Sequence, residues 1–468
     1  MDQSIIRISK ELSDIQKGSD LAIAVACRDV DVRNVRALVM GPHETPYEFG
    51  FFEVDGLQYD STKAWPRLFF SVAPHVHNAD PAKNTRQNHP VFSASQRMEG
   101  VADSIPTFTP VGKFVCSTWR GERGEEWSSA QGLESILLSI QSLMSANPYE
   151  NEPGFEDANS PADKQAQKHY VQKIRHETLR ISIIQRLESY LGLQANGTSA
   201  PSDSLDPSSF DYEDIDESNV PFEPFKDLCK RKFLWYYDSY MAAVAQGKSE
   251  VQDLQPFVKM PFESPNTNAM DGRFNYTELE RRLKTIKAAL DAETLRWAEE
   301  GRTSKAGEST VAVNLQHQFD QVSAYLKLGD MPHSVVLENG NPFVWLVTYF
   351  GRPMTNLDGG LFRIKMSFST RFPNEQPRVK FETKIFHHHI AADGTACYSP
   401  NPMKMEDVKS HIEAIFETLE EDEPAYDPRK IVNPEATKMF WGNNPDDKKQ
   451  YNRRLRRSVQ QSMEDFPE

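Results

Sequence analysis

The residues of this chain best suited to chemistry are its thiols and one run of imidazoles. Four cysteines, Cys27, Cys116, Cys229 and Cys397, lie far apart. No two have zinc-ligand spacing, and a disulfide framework is not expected in a reducing compartment. Cys116 follows Gly112-Lys113-Phe114-Val115 in an extended stretch and precedes a polar, glycine-interrupted loop. Beyond the loop, Leu133, Ile136, Leu137, Ile140, Leu143 and Met144 recur at helical spacing. A lone cysteine before a loop and a core helix is a candidate nucleophile, reacting as thiolate. The same pattern also suits a small buried hydrophobe. Three adjacent histidines, His387-His388-His389, stand shortly before Cys397. They suggest a metal, but on a strand only the outer two share a face, and no carboxylate nearby has ligand spacing. A metal there would block the Cys397 thiol.

The remaining sequence must position these groups. A chain of 468 residues points to two to four domains. A net charge of −15 argues against nucleic acid or anionic membrane as a bulk-charge partner. No run approaches the length of a membrane span, and the first residues lack a signal-peptide core. The expectation is an intracellular protein of the cytoplasm, the nucleus or both.

In chain order, residues 4–16 read as a helix with Ile5, Ile8, Leu12 and Ile15 on its apolar face. Arg7 and Lys10 lie off that face, where a charge is ordinarily just solvated. Residues 21–27 and 35–40 read as strands, the first holding Cys27 as a core residue. Gly41-Pro42-His43-Glu44-Thr45-Pro46 punctuates a turn before Tyr47 to Phe52. Residues 74–104 read as a loop insertion. The helix carrying Leu133 has Ser128 or Ser129 as its candidate N-cap and ends at Asn147-Pro148. Helices follow over 162–191. Residues 192–220 are acidic and Gly/Ser/Pro-rich, a linker. Residues 221–300 are helical. Phe225, Phe233, Trp235, Tyr236, Tyr237 and Tyr240 are packing residues, and Tyr276, Leu279, Leu283, Ile286, Leu290 and Leu295 mark a further helix face. Cys229 is structural. Residues 301–311 read as a second linker.

From residue 312 the order of elements repeats: a helix over 313–326, strands over 334–337 and 344–349, and a turn from Gly351 to Phe362 like that at Gly41. This is a duplication at domain scale.

Gly112-Lys113-Phe114-Val115-Cys116-Ser117 followed by Trp127-Ser128-Ser129-Ala130 resembles the active-site segment of ubiquitin-conjugating enzymes. The Gly41 turn resembles that family's turn signature. SIQSLMSANPYENEPGFE (139–156) and residues 174–180 are similar to its large, Z-type branch. In the second copy, Thr383 to Ile390 and Asp393-Gly394-Thr395-Ala396-Cys397 resemble the family's thioester segment. The resemblance implies a mixed α/β (α+β) protein with two ubiquitin-conjugating (UBC) folds, each an antiparallel sheet packed by helices. The implied domains are a first UBC domain (1–191), a linker (192–220), a helical extension (221–300), a linker (301–311) and a second, divergent UBC domain (312–468).

It further implies that Cys116 accepts ubiquitin or a ubiquitin-like protein from an activating enzyme as a thioester, then passes it to a substrate lysine or a ligase. Cys397 stands at a second such position. The family's His-Pro-Asn triplet stabilises the oxyanion formed when an amine attacks the thioester. Here it is matched by Ile105-Pro106-Thr107 and by His387-His388-His389, so Thr107 and His389 take the donor's place. Lys113, Trp127 and Ser128 would shape the loop beside the first thiol. Arg7 and Lys10 would meet the activating enzyme, while the first helix of the second copy lacks such basic residues. No metal or small-molecule cofactor is implied, since ATP is consumed by the activating enzyme. The alternative is that one or both copies are degenerate and serve as ubiquitin-binding or regulatory modules.

Overall fold

The computed structural model describes residues 3–18, 22–28, 31–58, 67–68, 132–152, 154–194, 196–197, 222–263, 271–329, 332–421 and 424–464. The chain divides into two units. The first comprises Met1–Ile15, Ala22–Phe222 and Gly247–Leu279, and the second Gln16–Leu21, Glu223–Gln246 and Glu280–Glu468. Both are mixed α/β with an antiparallel sheet, the class expected from sequence.

In the first unit, α1 (Gln3–Lys17) buries Ile8, Leu12 and Ile15, three of the four residues expected on its apolar face. The sheet runs β1 (Ile23–Arg28), β2 (Asp31–Met40), β3 (Phe51–Gln58) and β4 (Arg67–Leu68), each strand antiparallel to the next. Val25, Val35, Ala37, Val39, Phe52 and Val54 face the core. Against it packs α2 (Leu133–Ser142) through Leu133, Ile136, Leu137 and Ile140. A Leu or Ile fully buried in this way contributes about 1.5–3 kcal/mol. The start of α2 departs from expectation: Gly132 is the N-cap without a side-chain bond, and Glu11 Oε2 accepts from the Leu133 N–H at 2.9 Å. A carboxylate from a distant helix thus satisfies an orphan N–H that a local serine was expected to hold. The helix also stops at Ser142, short of Asn147-Pro148.

Next comes α3 (Pro161–Glu177), opened by a reciprocal Ser160–Asp163 capping box with Pro161 at its first position. It continues through a π-helical stretch, Thr178–Gln185, into α4 (Arg186–Leu191), which ends at left-handed Gly192.

The second unit holds the Lys226–Gln246 part of α5 (Lys226–Glu250) and the Glu280–Ala306 part of α6 (Tyr276–Ala306). Then come α7 (Thr310–Leu328), β5 (Ser334–Leu337), β6 (Val344–Phe350), β7 (Leu361–Ser367), β8 (Arg378–Phe381), α8 (Val408–Glu420), α9 (Pro434–Trp441) and α10 (Pro445–Glu464). The sheet order is β5-β6-β7-β8, antiparallel throughout, over a core that includes Trp345, Tyr349, Phe362, Ile364 and Phe368.

Two expectations fail here. Residues 301–311 are mostly helix: α6 runs to Ala306, Gly301 packs on Phe343, and the Lys305 amine donates to the Gly340 carbonyl at 2.6 Å. Only Gly307 to Ser309 separate it from α7, with Ser309 as N-cap. Leu295, expected on the buried face of α6, is 73% exposed, whereas Leu279, Leu283, Ile286 and Leu290 are buried. Residues 221–300 are shared between the two units, with α5 and α6 each divided by the boundary.

The repeated turn is the same structure twice. Gly41 N–H donates to Gly50 O at 3.0 Å, and Gly351 N–H to Gly360 O at 2.8 Å. A Cβ on Gly41 would lie 1.7 Å from the Tyr47 carbonyl oxygen, and one on Gly351 would lie 1.6 Å from that of Leu357. Only glycine lets the backbone pass that closely.

Candidate active site

Cys116, Thr107, Lys113, Trp127 and Ser128 lie outside the described residues. Arg7 and Lys10 are on the exposed side of α1. Arg7 Nε donates to Glu11 Oε1 at 2.7 Å, so Arg7 steadies the carboxylate that caps α2. Lys10 points to solvent.

The second unit sets Cys397 beside His389 by backbone alone. A tight turn brings Thr395 O into reach of the Ala391 N–H at 2.9 Å, with Gly394 at φ 89° and Asp393 Oδ1 accepting from the Thr395 N–H. The chain then doubles back so that Cys397 N–H donates to His389 O at 2.9 Å, while Ala396 N–H bonds Val379 O on β8. Asn433, the N-cap of α9, donates its amide to Ile390 O at 3.2 Å.

The histidine run is thus an irregular turn and not a strand. All three rings are buried and in contact: His387 stacks on His388 with centroids 4.2 Å apart, and His388 meets His389 edge-on at 4.3 Å. Burial lowers each of them, His387 to about 3 and His389 to about 4, with His388 further depressed. They are neutral imidazoles.

Their hydrogen bonds fix the tautomers. His389 Nδ1 lies 3.2 Å from the Lys430 carbonyl, which can only accept, so Nδ1 carries the proton. The His389 N–H points at His387 Nδ1, which accepts at 3.2 Å. His388 Nδ1 meets the Tyr451 hydroxyl at 2.8 Å, and its Nε2 is buried with no hydrogen-bond partner. A neutral His389 in this tautomer has spent its one N–H on Lys430. It presents Nε2 as an acceptor, so the oxyanion donation expected of it requires a second proton or the other tautomer. Among the described residues no group of three or more His, Cys, Asp or Glu side chains could hold a metal ion.

Cys397 lines a cleft of about 320 Å³ together with His389, Ser399, Lys430, Glu417 of α8 and Glu421 just past its end. Its side chain is 2% exposed, and burial pushes the thiol up to about 12, against a smaller downward pull from Lys232 and Lys430. Lys232 is the residue that sequence reading missed. It sits on α5, buried, with its amine 4.2 Å from the centroid of the Trp235 ring and without a hydrogen-bond partner. Burial lowers it to about 7, and the charge on Cys397 acts in the opposite direction. The signal was its phase: Cys229, Lys232, Phe233 and Tyr236 follow at helical spacing on one face, and that face is buried. Tyr236 ties α5 to this site, its hydroxyl donating to the Arg429 carbonyl at 2.5 Å.

The family model described as "Ubiquitin-conjugating enzyme" matches residues 319–466. Human ubiquitin-conjugating enzyme E2 Z is 29% identical over 290 residues, 61% of this chain and 63% of the relative. The E2 Z of Danio rerio is 30% identical over 292 residues, 62% of this chain and 69% of the relative. That of Xenopus tropicalis is 30% identical over 288 residues, covering 61% and 71%. The chain therefore spans under two thirds of the length of the human relative. Among solved structures, the E2 domain of a Toxoplasma gondii ubiquitin conjugating enzyme aligns with 32% of this chain and 96% of its own, at 19% identity and a TM-score of 0.26. The chain belongs to the ubiquitin-conjugating enzyme family.

Proposed function

We propose that the protein accepts ubiquitin or a ubiquitin-like protein from an activating enzyme as a cysteine thioester and transfers it to a substrate lysine or to a ligase. On this reading the chain holds two UBC domains, 1–191 and 312–468, separated by the linker 192–220, the helical extension 221–300 and the short junction within 301–311. Cys116 and Cys397 are the two carrier thiols, with Thr107 beside the first. The Cys397 thiolate attacks the activating enzyme's thioester carbonyl, and the activating enzyme's thiol leaves. His389, across the cleft, offers Nε2 as an acceptor at the reacting centre. Arg7 and Lys10 are the first contacts with the activating enzyme. The protein works in the cytoplasm, the nucleus or both.

The observation that carries this reading is the pairing of family membership with a cleft that holds Cys397 and His389 together. Its test is a charging assay with ATP, activating enzyme and a panel of modifiers, comparing wild type with Cys116→Ser/Cys397→Ser. Wild type should give a reductant-sensitive adduct that the double variant lacks.

A second reading has one observation in its favour. A thiol raised to about 12 and 2% exposed is what an inert core cysteine looks like. If wild type forms no adduct with any modifier yet retains ubiquitin non-covalently, the chain is a binding or regulatory module.

A further inference from the structure

We propose that Lys232, supplied by α5 from outside the segment that the family model matches, is the cation that stabilises the thiolate of Cys397 and so sets its reactivity. This deepens the carrier reading above and rests on it.

Three observations converge. The Lys232 amine is buried yet has no hydrogen-bond partner, a costly arrangement unless a charge appears nearby. It lies within the electrostatic field of Cys397, each group favouring the other's charged form. Its position is fixed, because Trp235 and Tyr236 stack on it and Tyr236 is bonded to Arg429 in the turn whose Lys430 lines the cleft. The amine is therefore held in place on α5, in a buried site of low polarity where a charge–charge interaction with the thiol is strong.

The step is a net proton movement. The Cys397 S–H bond breaks and an N–H bond forms on Lys232. A neutral pair becomes thiolate and ammonium. Because burial holds Lys232 at about 7, part of it is a free amine at neutral pH and can take the proton. The thiolate then attacks the incoming thioester, and the Lys232 proton returns to the departing thiolate.

Other groups face the pair from every side and partly cancel. Arg231 and Arg429 push Lys232 toward the neutral amine, and Asp427 toward the ammonium. Around the thiol, Lys430 favours the thiolate and Asp427 opposes it, while Glu417 and Glu421 line the cleft from α8 and its C-terminal end. Among these, Lys232 is the group whose amine has no other partner to satisfy.

The test reads thiol chemistry without any modifier. Iodoacetamide alkylation of Cys397 is followed by peptide mass spectrometry across a pH series in wild type, Lys232→Met and Lys232→Arg, with Cys27 as internal control. Lys232→Met should raise the apparent pKa of Cys397 by about one unit or more and slow its alkylation near neutral pH about tenfold, while Cys27 is unchanged. Lys232→Arg should restore part of the rate. Thermal unfolding confirms that each variant is folded, and Met removes an unsatisfied amine, so folding is expected. If Lys232→Met leaves the profile of Cys397 unchanged or accelerates alkylation, Lys232 is only a cover over the thiol and the proposal falls. Charging is scored separately. A shifted profile in a protein that never charges overturns the carrier reading alone, and normal charging with an unshifted profile overturns this inference alone.

Discussion

Lys173 in the first unit and Lys232 in the second are both buried, and on opposite terms. Lys173 in the first unit is 1% exposed and pairs with the carboxylate of Glu263, itself 3% exposed, whose other oxygen accepts the Met260 N–H at 3.2 Å. Lys232 in the second unit is as deeply buried but bonds to nothing. A buried charge with a complete set of partners belongs to the structure. A buried amine without one is a local conflict, and such conflicts concentrate where a protein does chemistry. Lys173 holds α3 to the segment around Met260. Lys232 interacts instead with Cys397, which lines a cleft.

The contrast can be broken most forcefully at Lys173. Replacing it with Met strands the Glu263 carboxylate and should cost about 3–5 kcal/mol. Chemical denaturation of Lys173→Met measures this, and a loss under about 1 kcal/mol would make the two lysines alike. Acidification comes next, and it acts on the second unit. His387, His388, His389 and His411 are all depressed by burial, so the unfolded chain binds protons that the folded unit refuses. Their contribution is complete above an unfolded pKa of about 6.5 and is lost as pH falls from there toward the folded values of about 3 to 4. Near pH ~5 the loss is about 2 kcal/mol for each such histidine. Guanidinium titrations at neutral and acid pH should show it, and a second unit that gains stability on acidification would reverse the sign of the argument. Lys232→Met should do the opposite of Lys173→Met, leaving stability unchanged or raising it by about 1–2 kcal/mol, read from the same denaturation curves. The smallest effect is expected at Arg7→Ala, which removes a half-exposed pair with Glu11 and costs at most about 1 kcal/mol. A larger loss would show that Arg7 holds the Glu11 cap of α2 more firmly than an ordinary surface pair.

The features legible in the sequence were those set by local sterics and periodicity. The glycines at 41 and 351 announce turns because no side chain fits there, and the two turns came out alike. The apolar phase of α1 and α7 and the runs at 334–337 and 344–349 gave elements near their observed bounds, while α2 is shorter at both ends than its signals suggested. Local chemistry also misled. Gly301, Thr303 and Ser304 resemble a linker, but tertiary contacts of Gly301 and Lys305 carry the helix through them. The turn at the three histidines had no local signal either: it is held by their own hydrogen bonds and by the Ile390–Asn433 contact. The thiol at Cys397 was identified from its segment. Lys232, far away in sequence, could be found only once α5 had been packed.

The decisive measurement isolates Cys397. Cys116→Ser, which keeps Cys397 as the carrier candidate, is incubated with ATP, activating enzyme and ubiquitin, and the products are resolved with and without reductant. A thioester adduct that disappears in Cys116→Ser/Cys397→Ser is the predicted result. If wild type charges while folded Cys116→Ser forms no adduct at all, Cys397 is a core thiol, and the cleft around it serves something other than transfer.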